Sequence, residues 1–322
     1  MHRDAIHVAV LDDYQGVAAQ LGDWAMLPAR VELDAIDVHL ADRTELAARL
    51  AGAEVVVAMR ERTTIDDALL GLLPDLRLIV TTGPSNAVID VAAANDRGIT
   101  VCGTGGSLAP TSELTWALIL ALARHVPAED RNIRGGGWQH TVGTDLAGRM
   151  LGLVGLGRIG KLVARAGVAF GMEVQAWSRN LDPEAARRRG VTPVERDVLF
   201  ATSDVISIHM VLSERSRGLV GARELDLMKP TALLVNTSRG PIIDEIALVD
   251  ALTRGTIGGA GLDVFDREPL PPEHPLRALP NTVLTPHIGY VTDGLYELFY
   301  REIVEDIGAW LAGEPIRVVE AA

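Results

Sequence analysis

Met150-Leu151-Gly152-Leu153-Val154-Gly155-Leu156-Gly157-Arg158-Ile159-Gly160 is the stretch on which the fold turns. Its first five residues read as a buried strand, three glycines follow at G-x-G-x-x-G spacing, and Lys161–Phe170 then carries Leu162, Val163, Ala166 and Phe170 at helical spacing. With 32 glycines in 322 residues, chance alone supplies about 0.3 such patterns per chain, so the spacing means little by itself. The strand before it and the helix after it give it weight. Gly155 permits the tight turn, Gly157 lets a pyrophosphate approach the backbone, and Gly160 lets helix and strand pack closely. The helix N-terminus then offers unpaired N–H groups to two phosphates. The stretch predicts a Rossmann-type unit that binds a dinucleotide.

Downstream, apolar runs at Glu173–Trp177, Val205–Ile208, Ala232–Val235, Gly258–Leu262 and Thr282–Leu284 join Met150–Val154 as six strands, enough for a doubly wound parallel sheet. Upstream, Ile6–Leu11, Ala35–Val38, Val55–Met59 and Leu78–Val80 read as strands, with helices at Thr44–Leu50 and Asp66–Leu72. This alternation implies a second α/β layer with a mostly parallel sheet. A long apolar helix runs from Ser112-Glu113 to about Val126, and a glycine elbow follows at Gly135-Gly136-Gly137. The pattern places the domain change there. From Thr292 a terminal helix runs to about Ala312, long enough at ~1.5 Å per residue to cross back over the first lobe, which is then discontinuous. A length of 322 residues suits two such lobes, with a cleft between them.

Composition narrows the function classes. Apolar residues make up 48%, charged residues 23% and aromatics 4%, a globular mixture with an aliphatic core. The formal net charge of −13 disfavours nucleic acid, since the densest basic run, Arg187-Arg188-Arg189, closes a short polar helix and reads as a solvated face. Cys102 is the single cysteine, so an intrachain disulfide is excluded, and no Cys/His cluster has metal-ligand spacing. Met1-His2-Arg3-Asp4 leads into a strand without the apolar core of a signal peptide, and Leu114–Ala123 is too short to span a bilayer. The expectation is a soluble cytoplasmic protein with no metal, no membrane and no nucleic-acid partner.

In an open α/β sheet, ligands lie beyond the carboxyl ends of the strands. Asn236-Thr237-Ser238-Arg239-Gly240, Asp263-Val264-Phe265-Asp266-Arg267-Glu268-Pro269 and Thr285-Pro286-His287 each follow a strand. Together they offer what reduction of a 2-keto acid needs. His287 can donate a proton to the carbonyl oxygen, Arg239 can grip the carboxylate, and Glu268 beside the imidazole favours its charged form. A dinucleotide over the same crevice supplies the hydride. The strand after the glycine turn ends in Trp177-Ser178-Arg179-Asn180 rather than in a carboxylate. Ser178 and Arg179 suit a 2′-phosphate, whereas Asp182 is the alternative partner for a free ribose, so both NAD and NADP stay open.

These blocks, with Gly261-Leu262-Asp263-Val264-Phe265 and Pro286-His287-Ile288-Gly289, resemble the D-isomer-specific 2-hydroxyacid dehydrogenase family across nearly the whole chain. The resemblance implies Arg239, Glu268 and His287 as catalytic residues. It places Arg158 and Ile159 at the pyrophosphate, Thr237 and Ser238 along the cofactor cleft, and Asp263 near the nicotinamide amide. It implies a homodimer and two domains: a flavodoxin-like lid from residues 1–107 and 292–322, and a cofactor domain from 108–291. His209-Met210-Val211 stands where the family commonly has His-x-Pro near the adenine, and Gly289-Tyr290 follows the catalytic His, with Tyr290 narrowing the substrate space or packing the hinge.

Departures concern the substrate. Ser85 and Asn86, in Gly83–Asp90, replace part of the Gly-Val-Asp element whose amides hold a carboxylate, and Arg60-Glu61 puts an acid beside the arginine that would meet an anionic substrate. A phosphoglycerate dehydrogenase is therefore the weaker expectation, as is serine feedback through an appended domain. The implied activity is an NAD(P)-dependent 2-ketoacid reductase. The rivals are a non-catalytic dinucleotide sensor of the same fold, and a formate or phosphite dehydrogenase, which Glu268 argues against.

Overall fold

The computed structural model describes residues 5–321, so the Met1–Asp4 start lies outside the described residues. The chain forms two compact units, Met1–Ser107 with Val291–Ala322, and Leu108–Tyr290.

The first unit is built on five parallel strands, β1 (Ile6–Val10), β2 (Val31–Ala35), β3 (Val55–Ala58), β4 (Leu78–Thr81) and β5 (Thr100–Gly103), in the order β2-β1-β3-β4-β5. Between them run α1 (Ala18–Leu21), α2 (Arg43–Arg49), α3 (Asp67–Leu70) and α4 (Val91–Asp96). β3 and β4 are buried along their whole length, which is why they read as unbroken apolar runs. Asp42, Asp66 and Asp90 cap α2, α3 and α4, each accepting a backbone N–H three residues on.

Two expectations for this unit need correction. The second strand occupies Val31–Ala35, not Ala35–Val38: it is an edge strand with no fully buried residue, so hydrophobicity did not mark it, and Val38 is exposed. β5 and α4 were not foreseen. β5 is four residues ending in glycine, and α4 is a short Ala-rich turn.

The second unit opens with α5 (Ala109–Ala123) and α6 (Val126–Arg134). Its sheet comprises β6 (Met150–Val154), β7 (Glu173–Trp177), β8 (Val191–Pro193), β9 (Val205–Ile208), β10 (Leu233–Asn236), β11 (Gly259–Leu262) and β12 (Thr282–Leu284). The helices are α7 (Arg158–Ala169), α8 (Pro183–Arg187), α9 (Arg196–Thr202), α10 (Ala222–Leu227) and α11 (Glu245–Arg254). All seven strands are parallel, in the order β12-β11-β10-β9-β6-β7-β8. The seventh, β8, escaped the sequence reading because it is three residues long and ends in Pro193, which only a sheet edge accommodates.

α5 starts three residues before the expected Ser112, with Pro110 in its first turn, where the missing N–H costs nothing. It buries Trp116, Leu118, Ile119 and Leu122 in the same core as β6 and β7. The division of the chain therefore falls at Ser107 rather than at the glycine elbow: a helix joins the sheet on which it buries its apolar side. After β12 the chain returns to the first unit as α12 (Asp293–Leu311), which packs against α1 and β4 and buries Phe299, Tyr300, Ile303 and Ile307. Among the described residues, no helix is long and apolar enough to cross a membrane.

Candidate active site

The strand order of the second sheet reverses at β6, whose neighbours are β7 and β9, and an open parallel sheet binds ligands at such a switch point. The glycine turn leaves β6 there. Gly155 has φ +101°, and a Cβ on it would collide with the carbonyl oxygen of His209, the residue that follows β9. A Cβ on Gly160 would collide with the carbonyl oxygen of Gly155. These two glycines close the strand-turn-helix unit on itself.

Gly157 is different. Its backbone is extended (φ −75°, ψ −155°), and a Cβ there would meet nothing within 4 Å. This open face stands at the N-cap of α7, whose first turn has no side-chain cap. Uncapped N–H groups beside an unfilled approach fit a pyrophosphate.

Beyond β7, Ser178 is half-buried and Arg179 exposed, while Asp182 Oδ1 accepts the N–H groups of Glu184 and Ala185 as the cap of α8. Asp182 thus serves the helix. Beyond β9, the His209 ring meets Ser207 Oγ through Nε2 at 2.9 Å, and its buried Nδ1 has no protein partner. Burial pulls its pKa down to about 4, so His209 is neutral at pH 7 and unsuited to proton donation. Met210 lies against Gly155. Ser238 Oγ donates to Ile208 O (2.8 Å), and Thr237 Oγ1 pairs with Thr115 Oγ1 (2.8 Å), so both hydroxyls knit the β10 loop to its neighbours.

The next three strands deliver the other groups. Arg239 follows β10 and donates from Nη1 to Ser238 O (2.8 Å). Glu268 ends the turn after β11, where Oε1 accepts the Phe265 N–H (2.9 Å) and Oε2 meets His287 Nδ1 at 2.6 Å. His287 itself has φ +54°, a left-handed conformation costly for a residue with a Cβ. Asp263 holds it there. Buried at the end of β11, it accepts Thr285 Oγ1 (2.6 Å) and the Ile288 N–H (2.8 Å) on Oδ1, and the Gly289 N–H (2.9 Å) on Oδ2. Burial pushes the Asp263 carboxyl up, while these donors and His287 oppose the shift. Tyr290 is buried, with its ring edge-on to the imidazole at 5.7 Å.

The family model described as D-isomer specific 2-hydroxyacid dehydrogenase, NAD binding domain, matches residues 116–289. A glyoxylate reductase from Aeropyrum pernix is 44% identical over 238 residues, 71% of each chain. A D-3-phosphoglycerate dehydrogenase from Archaeoglobus fulgidus is 37% identical over 85% of this chain but 53% of its own length. The crystal structure of a phosphoglycerate oxidoreductase from Vibrio cholerae O395 superposes with a TM-score of 0.91 at 36% identity, over 96% of this chain and 99% of that one. This chain belongs to the D-isomer specific 2-hydroxyacid dehydrogenase family.

The protein is accordingly an NAD(P)-dependent oxidoreductase that interconverts a 2-keto acid and its 2-hydroxy acid. In this dehydrogenase the second unit brings Glu268 and His287 into contact and sets the glycine turn against His209 and Met210. Both Asp263 oxygens serve the His287 loop. That role had a faint signal in Thr285, the hydroxyl two residues before His287.

The expected substrate residues of the first unit are engaged locally. Asn86 Nδ2 donates to Arg60 O (2.6 Å) and Thr81 Oγ1 (2.9 Å), and its Oδ1 accepts the Val88 N–H (3.1 Å). Arg60, at φ +53°, turns Nη1 onto Thr82 O (2.9 Å) and lies 3.5 Å from the Glu61 carboxylate. Ser85 is exposed. Among the described residues, no three His, Cys, Asp or Glu side chains group as a metal site.

Proposed function

We propose that Arg239, Glu268 and His287 carry the chemistry of this dehydrogenase, and that its substrate is a small unphosphorylated 2-keto acid of the glyoxylate type. The 2.6 Å contact between Glu268 Oε2 and His287 Nδ1 carries the reading. It directs the Nδ1 proton to the carboxylate and leaves Nε2 for proton transfer. The nicotinamide cofactor, when bound, supplies the hydride to the carbonyl carbon. His287 Nε2 donates its proton to the carbonyl oxygen as that oxygen gains charge, and Glu268 stabilises the imidazolium before transfer. Arg239 binds the substrate carboxylate through its guanidinium fork. In the oxidative direction Nε2 takes the hydroxyl proton back.

The preference for an unphosphorylated acid draws support from Arg60, whose guanidinium is drawn to Thr82 O and Glu61. The glyoxylate reductases among the relatives accord with it. Glyoxylate, hydroxypyruvate, pyruvate, phenylpyruvate and 3-phosphohydroxypyruvate, each assayed with NADH and NADPH, test both halves of the reading. Glyoxylate or hydroxypyruvate is expected to give the highest kcat/KM. A clear lead for 3-phosphohydroxypyruvate would reject the assignment.

Cofactor choice is a second expectation. Exposed Arg179 beside Ser178, with Asp182 occupied as a helix cap, favours NADPH at least as much as NADH. Arg179→Ala is expected to lower kcat/KM for NADPH about tenfold and to leave NADH within about twofold, the size of one charged hydrogen bond. A wild-type enzyme that prefers NADH tenfold would contradict this.

We further propose a homodimer through the second unit. Trp138 is 74% exposed and Val142 92%, with Val126 and Ile133 also exposed nearby in sequence. This segment is stapled in place: Glu129 accepts the Thr141 N–H (2.8 Å) and Thr141 Oγ1 and contacts His140 Nδ1 (2.9 Å). Ordered apolar side chains facing solvent are what an interface covers. Trp138→Asp is expected to halve the sedimenting mass; an unchanged mass would count against this interface. A cytoplasmic setting accords with a single cysteine, Cys102, whose thiol is pushed up to about 12, chiefly by burial, and is unreactive.

A further inference from the structure

Another carboxylate–imidazole pair stands beside the turn that carries Glu268. Glu245, the first residue of α11, accepts the Asp266 N–H on Oε2 (3.2 Å) and meets His274 Nε2 through Oε1 (2.9 Å). The Leu276 N–H points at His274 Nδ1 (3.3 Å), which assigns the ring proton to Nε2 and makes it the donor to Glu245. Gly240 also lies close against the same turn: a Cβ on it would collide with the Phe265 carbonyl group and the Asp266 nitrogen. The Phe265–Asp266 peptide is thus in contact with both Glu245 and the residue next to Arg239.

The Val264–Phe265 peptide, joined to it at the Phe265 Cα, holds the Glu268 carboxylate. Phe265 N–H donates to Glu268 Oε1, and Glu268 Oε2 holds His287. Displacing the Phe265–Asp266 peptide turns Phe265, whose N–H Glu268 accepts, and so changes the angle at which Glu268 meets the imidazole; small errors in such positions are costly in rate. The charged groups that act on Asp266 are Glu245, Asp244, Arg217 and His274. Burial pushes the Asp266 carboxyl up, and Glu245 and Asp244 push it further, against Arg217 and His274. Glu245 and His274 are both largely buried (19% and 17% exposed), so their pairing is less screened than a surface pair.

We propose that Glu245 and His274 are positioning residues for the reaction, acting on Glu268 through the backbone of Asp266 and Phe265. The proposal rests on the assignment of Glu268 and His287 above. It assigns a role in turnover to two residues that touch neither substrate nor cofactor.

The test uses the full chain and the most active keto acid of the panel. Glu245→Ala is expected to lower kcat roughly tenfold with KM for the nicotinamide cofactor unchanged, and to move the apparent pKa of the kcat/KM profile. Glu245→Gln, which restores an acceptor for the Asp266 N–H, is expected to recover most of kcat. His274→Leu removes the same pair from the other side, is expected to resemble Glu245→Ala, and stands in for it should that variant fail to fold. Wild-type kcat and pH profile per folded active site would overturn the proposal, as would Gln behaving no better than Ala. If Glu268→Gln and His287→Asn also keep wild-type turnover, the catalytic assignment itself has failed. If those two collapse while Glu245→Ala does not, only the positioning role has.

Discussion

Replacing His287 with Asn is expected to lower kcat by roughly 10²–10⁴-fold, the usual contribution of a positioned acid–base group, with cofactor affinity unchanged. Asn is the informative choice because position 287 has φ +54°, a region that Asn tolerates better than most residues with a Cβ. The backbone clasp from Asp263 to Ile288 and Gly289 can then persist, so that lost activity reports lost proton transfer rather than a rearranged loop. The amide is too weak an acid to replace imidazolium and too short to keep the 2.6 Å contact with Glu268. Fluorescence titration with NADH and NADPH checks the binding half, and steady-state kinetics the catalytic half. Near-wild-type turnover with intact binding would remove His287 from the mechanism. His209 cannot substitute for it, since burial holds its pKa near 4.

Gly157→Ala is expected to weaken the nicotinamide dinucleotide by about 10–100-fold, equivalent to losing one or two hydrogen bonds to a charged group. Its effect on folding should be small, with Tm within ~2 °C of wild type, because the residue is extended and its Cβ would enter open space. Gly155→Ala gives the contrasting result. There φ is +101° and the Cβ would collide with His209 O, so the variant is expected to lose stability together with binding. Thermal melts with and without NADPH separate the two, because a ligand raises Tm only while it binds. A Gly157→Ala protein with wild-type affinity would show that the pyrophosphate does not approach there.

Much of this could be read before any coordinates. The buried strands β3, β4, β6 and β9 were legible as nearly unbroken apolar runs because parallel strands covered on both faces are apolar along most of their length. β2 and β8 were misplaced or missed because edge strands carry no such obligation. The long helix α5 was visible, but pattern alone put the boundary at the glycine elbow after it, whereas the family resemblance put it before residue 108; burial of Trp116, Leu118 and Ile119 against the second sheet is the physical reason the helix packs with that unit.

The candidate site divides along the same line. Arg239, Glu268 and His287 announced themselves because chemistry restricts which residue types can grip a carboxylate or move a proton, and strand ends restrict where they stand. The roles of Asp263, Gly240 and Glu245 depend on contacts between segments about 20 residues or more apart, of which local pattern holds no more than the faint signal of Thr285.

The glycine turn joins the two kinds of knowledge. Its spacing, with the apolar strand before it and the helical pattern after it, established the turn and a dinucleotide as the thing to expect, because backbone sterics and helix-end N–H groups are local properties. Which glycine serves the fold and which leaves room for a ligand was decided only by the tertiary structure. Gly155 and Gly160 are crowded by backbone from β9 and from the turn itself, whereas Gly157 faces space, and crowding is a property of neighbours in three dimensions.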